Sequence, residues 1–247
     1  MTDHRSGPKV GVLVPFTNCN LEPDMQLLCP PGTTMHFERM GGYDVDALPG
    51  SEQMAGLGAS DISETLRLIS GVRPAAILYG CTSATLTHGP AFDTALARQI
   101  SQMSGALSIT AAGALVSAIK ALGATRVAFA SPYLGDVNDH AIDFLRTADV
   151  DTVSRADIGR ALGNYGQGEL SPDEVCALAL RSDDPNAEAI VLSCTDMRSV
   201  EVVAQIEAQT GKPVVTSNQA MAFALCKALD LTAPSFPAGR LFDLLKR

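Results

Sequence analysis

The sequence predicts a parallel α/β protein made of two pseudo-symmetric halves. Short apolar runs rich in Ile, Val and Leu alternate with longer segments of helical spacing, which is typical of parallel sheets covered by helices. Three of the runs have counterparts later in the chain, in the same order and at similar offsets. One of these runs and its counterpart each end on a cysteine, and open α/β sheets bind ligands at the carboxyl ends of their strands. We therefore expect a functional cleft between the two halves.

The internal repetition rests on three pairs of segments. In chain order, residues 10–17 resemble 127–134, residues 75–83 resemble 188–196, and residues 105–110 resemble 211–216. Each match is weak alone because short apolar strands resemble one another by composition, but their common order indicates a duplicated α/β unit. A duplication places Cys81 and Cys194 across a pseudo-two-fold axis, facing one cleft.

Hydrophobic periodicity predicts strands and helices throughout the first half. Segment 60–69 has helical spacing with an Asp or Ser cap followed by Glu, and the Ala-rich segment 111–122 is closed by Gly123. The predicted elements are strands at 10–14 and 35–40, a helix at 60–69, a strand ending at Cys81, and helices at 92–103 and 111–122.

The second half repeats this cycle of strands and helices. Its predicted elements are a strand at 127–131, helices at 136–147 and 172–181, a strand at 189–193, a helix at 198–210, a strand at 213–216 and a helix at 218–229. We place the boundary between residues 108 and 116 and expect the C-terminal helix to return to the first half. The first domain then comprises residues 1–112 and 217–247, and the second comprises residues 113–216.

Length and composition indicate a soluble, cytoplasmic protein. The chain has 247 residues, 46% hydrophobic and 18% charged, and no apolar run approaches the roughly 20 residues that span a bilayer. Residues 1–9 form a polar lead and not a signal peptide. Six cysteines without a small-scaffold spacing are typical of reduced thiols. The net charge of −9 and the lack of a basic cluster exclude nucleic acid as a favoured partner.

The sequence offers no cofactor or metal motif. No G-x-G-x-x-G follows a strand and no Walker A sequence is present, and no Cys/His spacing fits a zinc site. We expect neither a cofactor nor a metal, which leaves the chemistry to the cysteines. A lone buried cysteine is most simply a packing residue, but the matched pair favours a paired-thiol site.

The residues around both cysteines carry a family resemblance. The chain resembles the aspartate/glutamate racemase superfamily, and within it the branch of maleate cis-trans isomerase and arylmalonate decarboxylase, from Val10 to about Leu231. The marks are Pro15 with Asn18 and Glu22, then residues 80–83, 132–133, 192–194 and 214–217. This resemblance implies a cofactor-independent enzyme with two Rossmann-like domains, each a parallel, about four-stranded sheet flanked by helices. It also implies an active site in the interdomain cleft.

The resemblance also suggests roles for individual residues. Cys81 and Cys194 match the catalytic pair, and a small carboxylate is the expected substrate. Thr82, Ser83 and Tyr133 match hydrogen-bond donors to that carboxylate. Asn18 and Asn164 match polar groups of the pocket. Thr195, which follows Cys194 in the sequence, is the remaining expected substrate-binding residue. We further expect a homo-oligomer, either a dimer or a tetramer.

Two thiols fit more than one reaction. A racemase uses a thiolate and a thiol on opposite faces of a carbon acid, whereas a cis-trans isomerase adds one thiolate to the alkene and lets the single bond rotate. A decarboxylase of this branch uses Cys194 alone as proton donor and carries glycine where Cys81 stands. Residues 82–83 and 133–138 nevertheless resemble the decarboxylase more than the maleate isomerases, which have apolar residues after the first cysteine. A non-catalytic carboxylate-binding protein is the remaining alternative.

The other polar candidates near these motifs have weaker support. Cys19 follows the first strand and could face the cleft, and Asp196 could orient a substrate amine or tune Cys194. A carboxylate beside a thiolate raises the thiol pKa, which argues against close contact. Three other cysteines, Cys29, Cys176 and Cys226, are expected to be packing residues. His88 could cap a helix or bind a carboxylate, but we expect a polar residue on the side of a helix without a role in the chemistry.

Overall fold

Eight strands form two parallel four-stranded sheets in the computed structural model, which describes residues 7–42 and 49–245. The strands are β1 Lys9–Pro15, β2 Thr34–Met40, β3 Ala76–Tyr79, β4 Leu107–Thr110, β5 Arg126–Ala130, β6 Asp151–Ala156, β7 Ala189–Leu192 and β8 Val214–Thr216. The spatial order is β2-β1-β3-β4 in one sheet and β6-β5-β7-β8 in the other. The same order in both sheets confirms the predicted pseudo-symmetric α/β architecture.

Helices connect successive strands and cover the sheets. The α-helices are α1 Leu21–Leu27, α2 Ser51–Gly58, α3 Ser63–Ser70, α4 Thr82–Leu86, α5 Pro90–Ser104, α6 Ala111–Ala121, α7 Gly135–Arg146, α8 Gly166–Glu169, α9 Pro172–Ser182, α10 Val203–Thr210 and α11 Ser217–Leu229. Two 3₁₀ segments, Val200–Val202 and Arg240–Leu245, complete the described elements. Across the described residues, every helix is too short or too polar to span a membrane.

The alternation of side chains along the strands separates the cores. Val10, Val12 and Val14 of β1 belong to a core that also contains Val127 and Phe129 of β5 and the apolar faces of α6 and α11. Leu13 points the other way into a core on the outer face of the first sheet. A third core covers the outer face of the second sheet under α9 and α10. Period-2 alternation therefore places α6 and α11 between the two sheets.

The shared core bears on the expected domain division. Helix α11 packs on α6 and also contacts β4 of the first sheet and β8 of the second. A layer that touches both sheets does not assign the helix to one of them. The division at residues 112 and 216 stays a prediction, and residues 1–6, 43–48 and 246–247 of the proposed ranges lie outside the described residues.

Most predicted elements are confirmed to within a few residues, but helices α1, α2, α4 and α8 and strand β6 were not predicted. Strand β6 lies at a sheet edge, four of its six residues are polar, and none of the six is fully buried. The helix expected at 198–210 begins as the 3₁₀ turn Val200–Val202 and becomes α-helical only at Val203. The helix expected at 60–69 begins at Ser63, and the Asp61 carboxylate accepts the Ser63 N–H at 2.9 Å instead of occupying the N-cap.

Candidate active site

Equivalent strands in the two sheets deliver the two cysteines. Cys81 follows β3 and Cys194 follows β7, and each strand lies beside the first strand of its half. The Gly80 N–H donates to Leu13 O at 3.0 Å and the Ser193 N–H donates to Ala130 O at 2.9 Å, so the last rung of each ladder precedes a cysteine. Gly80 has no room for a side chain because a Cβ there would lie 2.7 Å from Leu13 O.

Both thiols line one cavity between the halves. Cys81 is 5% exposed and Cys194 is 2% exposed, and the cavity has a volume of about 30 Å³. Six of the eight predicted site residues line it, namely Asn18, Cys81, Tyr133, Asn164, Cys194 and Thr195. The volume is near that of a single water molecule.

Two hydroxyl groups connect the thiols. The Ser83 Oγ lies 3.7 Å from the Cys81 sulfur and 3.3 Å from the Tyr133 hydroxyl. The Tyr133 hydroxyl lies 3.8 Å from the Cys194 sulfur. Burial holds the pKa of Tyr133 well above its ordinary range, which keeps this hydroxyl protonated. The contacts that connect Cys81 to Cys194 therefore pass through Tyr133, whose hydroxyl stays protonated and comes from the second half.

The two cysteines have different surroundings. Burial raises the pKa of Cys81, but the backbone N–H groups of Ser83 and Ala84 and the Ser83 hydroxyl act against that rise. Burial raises the pKa of Cys194 to about 12, and the charge of Asp196 adds to the rise. Donors that face a sulfur favour its anion, whereas a nearby carboxylate disfavours it. Of the two thiols, Cys81 has the better environment for a thiolate.

Asn18 and Thr195 join the halves at the floor of the site. The Asn18 amide donates to the Thr195 hydroxyl at 3.0 Å, and that hydroxyl donates to Gly80 O at 2.8 Å. The Asn18 Oδ1 accepts the N–H of Leu21 at 2.9 Å, which fixes the start of α1. Both side chains are buried, and their hydrogen bonds tie the loop after β1 to the loop after β7.

Glu22, a mark of the resemblance, steadies the same loop from outside. Its carboxylate pairs with Arg39 at 2.7 Å. The Arg39 guanidinium donates to Pro15 O at 3.2 Å and also to Asn18 O. Glu22 is therefore connected to the loop after β1 through Arg39.

Two predicted residues do not reach the cavity directly. The Thr82 hydroxyl donates to the Ser217 Oγ at 2.8 Å, and Ser83 lies behind Cys81 with its Oγ 2.9 Å from Met54 Sδ. Among the described residues, neither Thr82 nor Ser83 is part of the cavity lining. A contact of either hydroxyl with substrate stays a prediction.

Two further polar residues line the cavity, one that the sequence did not indicate and one, Asp196, that it offered as a weaker candidate. Gln167 of α8 lines the cavity and is buried, and nothing in the local sequence pointed to it. Asp196 also lines the cavity, and its carboxylate accepts the backbone N–H of Cys19 at 2.9 Å. Cys19 itself is exposed, and it is absent from the cavity lining in the described part of the chain.

The remaining candidates lie away from the cavity. His88 is exposed, stacks on Phe92 with a ring separation of 4.1 Å, and has its Nε2 atom 2.8 Å from Ala55 O. The thiols of Cys29 and Cys226 donate to backbone carbonyls, and Cys176 is buried in the outer core of the second sheet. Within the described residues, no group of three or more His, Cys, Asp or Glu side chains is placed to hold a metal ion.

Neutral donors dominate the cavity. Its polar lining consists of amides, hydroxyls, the two thiols and Asp196, and the described lining residues include no Lys, Arg or His. The amides are those of Asn18, Asn164 and Gln167, and the hydroxyls include those of Tyr133 and Thr195. An anionic ligand in this cavity would be held by hydrogen bonds and not by an ion pair.

The fold and the site define an α/β protein whose two pseudo-symmetric halves enclose a pair of cysteines. The arylmalonate decarboxylase family profile matches residues 10–242. The chain belongs to this family.

The chain is also similar to individual characterised proteins. It is 31% identical to the maleate isomerase of Nocardia farcinica over 94% of both chains. It is 28% identical to the maleate isomerase of Pseudomonas putida over 95% of this chain and 97% of the relative. It is 26% identical to the arylmalonate decarboxylase of Bordetella bronchiseptica over 96% of this chain and 94% of the relative.

Solved structures match the fold over nearly the whole chain. One is a cysteine-to-serine variant of the Nocardia farcinica maleate cis-trans isomerase with a covalently bound succinylcysteine intermediate. It has a TM-score of 0.85 and 27% identity, covering 97% of this chain and 99% of that one. The maleate isomerase from Pseudomonas putida S16 has a TM-score of 0.86 and 26% identity, covering 95% and 98%.

Proposed function

We propose that the protein is a cofactor-independent isomerase of a small carboxylate that uses both cysteines, with maleate as the first substrate to test. The observation that carries the proposal is the placement of Cys81 and Cys194 on one cavity, bridged by the hydroxyls of Ser83 and Tyr133. Similarity to maleate isomerases over most of the chain supports the choice of substrate.

The proposed reaction begins with the thiolate of Cys81. Its sulfur adds to one alkene carbon of maleate, and the π-electron pair moves to the other alkene carbon and its carboxylate. The Cys194 thiol then protonates that carbon, which gives a succinyl thioether on Cys81. The new single bond rotates, Cys194 takes the proton back, and the carbon–sulfur bond breaks to release fumarate and the Cys81 thiolate.

Hydrogen-bond donors would stabilise the charge that this addition places on the carboxylate. The donors that line the cavity include the Tyr133 hydroxyl and the side-chain amides of Asn18 and Asn164. Such donors lower the barrier when they face the atom on which charge develops. The succinylcysteine intermediate seen in the Nocardia farcinica enzyme is of the kind that this addition produces.

A second candidate is decarboxylation of an arylmalonate. The family match and the Bordetella bronchiseptica relative favour it, and Cys194 would act alone as proton donor. The presence of Cys81 favours the isomerase, because decarboxylases of this branch carry glycine at that position. Racemisation of a carbon acid by the same two thiols is a variant of the isomerase proposal.

Product analysis separates these reactions. The protein is incubated with maleate, with phenylmalonate, and with a chiral carboxylic acid in deuterium oxide, and each mixture is followed by proton NMR. We expect fumarate from maleate. Carbon dioxide and phenylacetate from phenylmalonate, without fumarate, would favour the decarboxylase, and deuterium at the stereocentre alone would favour a racemase.

The assembly and location of the protein belong to the same proposal. We propose a cytoplasmic homo-oligomer that needs no cofactor, and the acidic net charge of −9 and six cysteines support the location. Size-exclusion chromatography with light scattering tests the oligomeric state, and a dimer or tetramer is the expected mass.

A further inference from the structure

Asp196 links the two halves directly behind Cys194. It is 7% exposed, and its Oδ1 accepts the backbone N–H groups of Cys19 at 2.9 Å and of Asn20 at 3.1 Å. The Asn20 side-chain amide donates to Asp196 O at 2.7 Å. Asp196 therefore holds the loop after β1 of the first half against the loop after β7 of the second half.

The same residue contacts the sulfur of Cys194. The Asp196 N–H donates to Cys194 Sγ at 3.4 Å, so the backbone that carries the carboxylate also orients the thiol. Asp196 lines the same cavity as Cys194; burial raises the pKa of Cys194 most, and the charge of Asp196 raises it further. Three donors from the start of α4 lower the pKa of Cys81, whereas the Asp196 N–H and the Tyr133 hydroxyl lower that of Cys194.

We propose that Asp196 is a positioning residue that makes the two thiols unequal: its N–H orients the Cys194 sulfur, and its carboxylate, held by the N–H groups of Cys19 and Asn20, places a negative charge in the cavity on the side of Cys194, so that Cys81 supplies the thiolate. This inference rests on the proposed function, because it assigns the proton-donor role in that reaction to Cys194. A symmetric pair of thiols would let either cysteine act as nucleophile.

The groups around Asp196 set the pH range of this effect. Burial raises the pKa of Asp196 to about 6, so the carboxylate is ionised at neutral pH. The titratable groups on which its charge acts are the thiols of Cys19, Cys194 and Cys81 and the carboxyl group of Asp24. The nearby cations are Arg39, which acts on Cys19, and Arg198, which acts on Asp24.

The substitution Asp196→Asn tests the charge without removing the shape. An asparagine Oδ1 can still accept the N–H groups of Cys19 and Asn20, and the backbone donor to Cys194 remains. The ionisation of each thiol is followed by the infrared S–H stretch in variants that retain only Cys81 or only Cys194, and by alkylation with iodoacetamide and peptide mass analysis. Asp24→Asn, which removes another buried charge that does not touch Cys194, is the control.

In the wild-type background, Cys81 should ionise at a lower pH than Cys194. Asp196→Asn should move the Cys194 midpoint down by about one pH unit and move the Cys81 midpoint less. The control should leave the Cys194 midpoint unchanged. An unchanged Cys194 midpoint in Asp196→Asn would overturn the inference.

The order of ionisation also tests the inference if Asp196→Asn does not fold. A wild-type protein in which Cys194 ionises before Cys81 overturns it without any variant at position 196. Turnover of maleate is measured separately. Failure to form fumarate, with the thiol order as expected, contradicts the proposed function and leaves the unequal thiols standing.

Discussion

The hydroxyl of Tyr133 lies 3.8 Å from the sulfur of Cys194, which makes a residue of the loop after β5 the neighbour of the cysteine after β7. On its other side the same hydroxyl meets the Ser83 Oγ of the first half at 3.3 Å. Tyr133 therefore connects the surroundings of the two thiols, and we expect a substrate bound between them to contact its hydroxyl.

Replacing Tyr133 with phenylalanine should slow turnover strongly and leave the fold intact. The variant loses one donor to the developing carboxylate charge, and the loss of such a donor costs about 10²–10³ in kcat. Steady-state fumarate formation measures it. Tyr165→Phe is the matched control because Tyr165 is 55% exposed, and it should retain wild-type kcat. A Tyr133→Phe enzyme with the kcat of the control would remove Tyr133 from the mechanism.

Replacing Cys81 separates the isomerase from the decarboxylase. Cys81→Gly removes the proposed nucleophile, so fumarate formation from maleate should fall to the uncatalysed rate. If the protein is instead a decarboxylase, the same variant should release carbon dioxide from phenylmalonate at least as fast as the wild type. Cys176→Ala, in α9 away from the cavity, should leave the rate of either reaction unchanged. Persistent maleate turnover in Cys81→Gly would exclude Cys81 as the nucleophile.

Asp24 should make the protein less stable as the pH rises. Its side chain is 3% exposed, and burial raises its pKa to about 7. A carboxyl group whose folded pKa lies above its unfolded value binds its proton more tightly when folded. The contribution of Asp24 to the free energy of unfolding is therefore present in full below about pH 4. It is lost as the pH rises through 7, by roughly 2–4 kcal/mol.

The substitution Asp24→Asn should remove that loss. The asparagine keeps an oxygen to accept from the Asn218 amide, which donates to Asp24 Oδ2 at 2.7 Å. Urea unfolding between pH 5 and pH 8 should show a flatter dependence than the wild type. Asp143→Asn, at an exposed aspartate paired with Arg146, serves as control. An equal pH dependence in wild type and Asp24→Asn would contradict the assignment.

Thr195 should contribute to stability through its hydroxyl. Thr195→Val removes the hydroxyl that bonds to the Asn18 amide and to Gly80 O. Both partners then lose a hydrogen bond at a buried contact between the two halves. The unfolding free energy should fall by about 1–3 kcal/mol. Thr195→Ser keeps the hydroxyl and should lose less. Urea denaturation of the two variants measures the difference. Equal unfolding free energies of Thr195→Val and Thr195→Ser would show that the contact between the halves does not depend on this hydroxyl.

The sequence predicted the strands that carry chemistry because their burial is complete. Strands β3 and β7 are buried at every position, and such strands appear in a sequence as unbroken apolar runs. Their duplication then placed Cys81 and Cys194 together. Edge strand β6 could not be found in the same way, since one of its sides has no neighbouring strand and four of its six residues are polar.

The contacts within the site could not be predicted from spacing. Thr82 and Thr195 occupy equivalent places after the two cysteines. The Thr82 hydroxyl nevertheless donates a hydrogen bond to Ser217, whereas the Thr195 hydroxyl donates one to Gly80 O of the other half. Gln167 reaches the cavity from a short helix between β6 and α9. Such placements depend on how loops of different halves pack, which no local pattern encodes.

The most direct test of the two-thiol account is mass analysis of Cys194→Ser after incubation with maleate. In this variant solvent must supply the proton that completes the adduct, and a serine hydroxyl is too weak a base to remove that proton again, so the thioether on Cys81 should accumulate. We predict a mass increase of one maleic acid on the peptide that contains Cys81, with fumarate formation strongly slowed. An unmodified Cys81 together with wild-type fumarate formation would contradict the account.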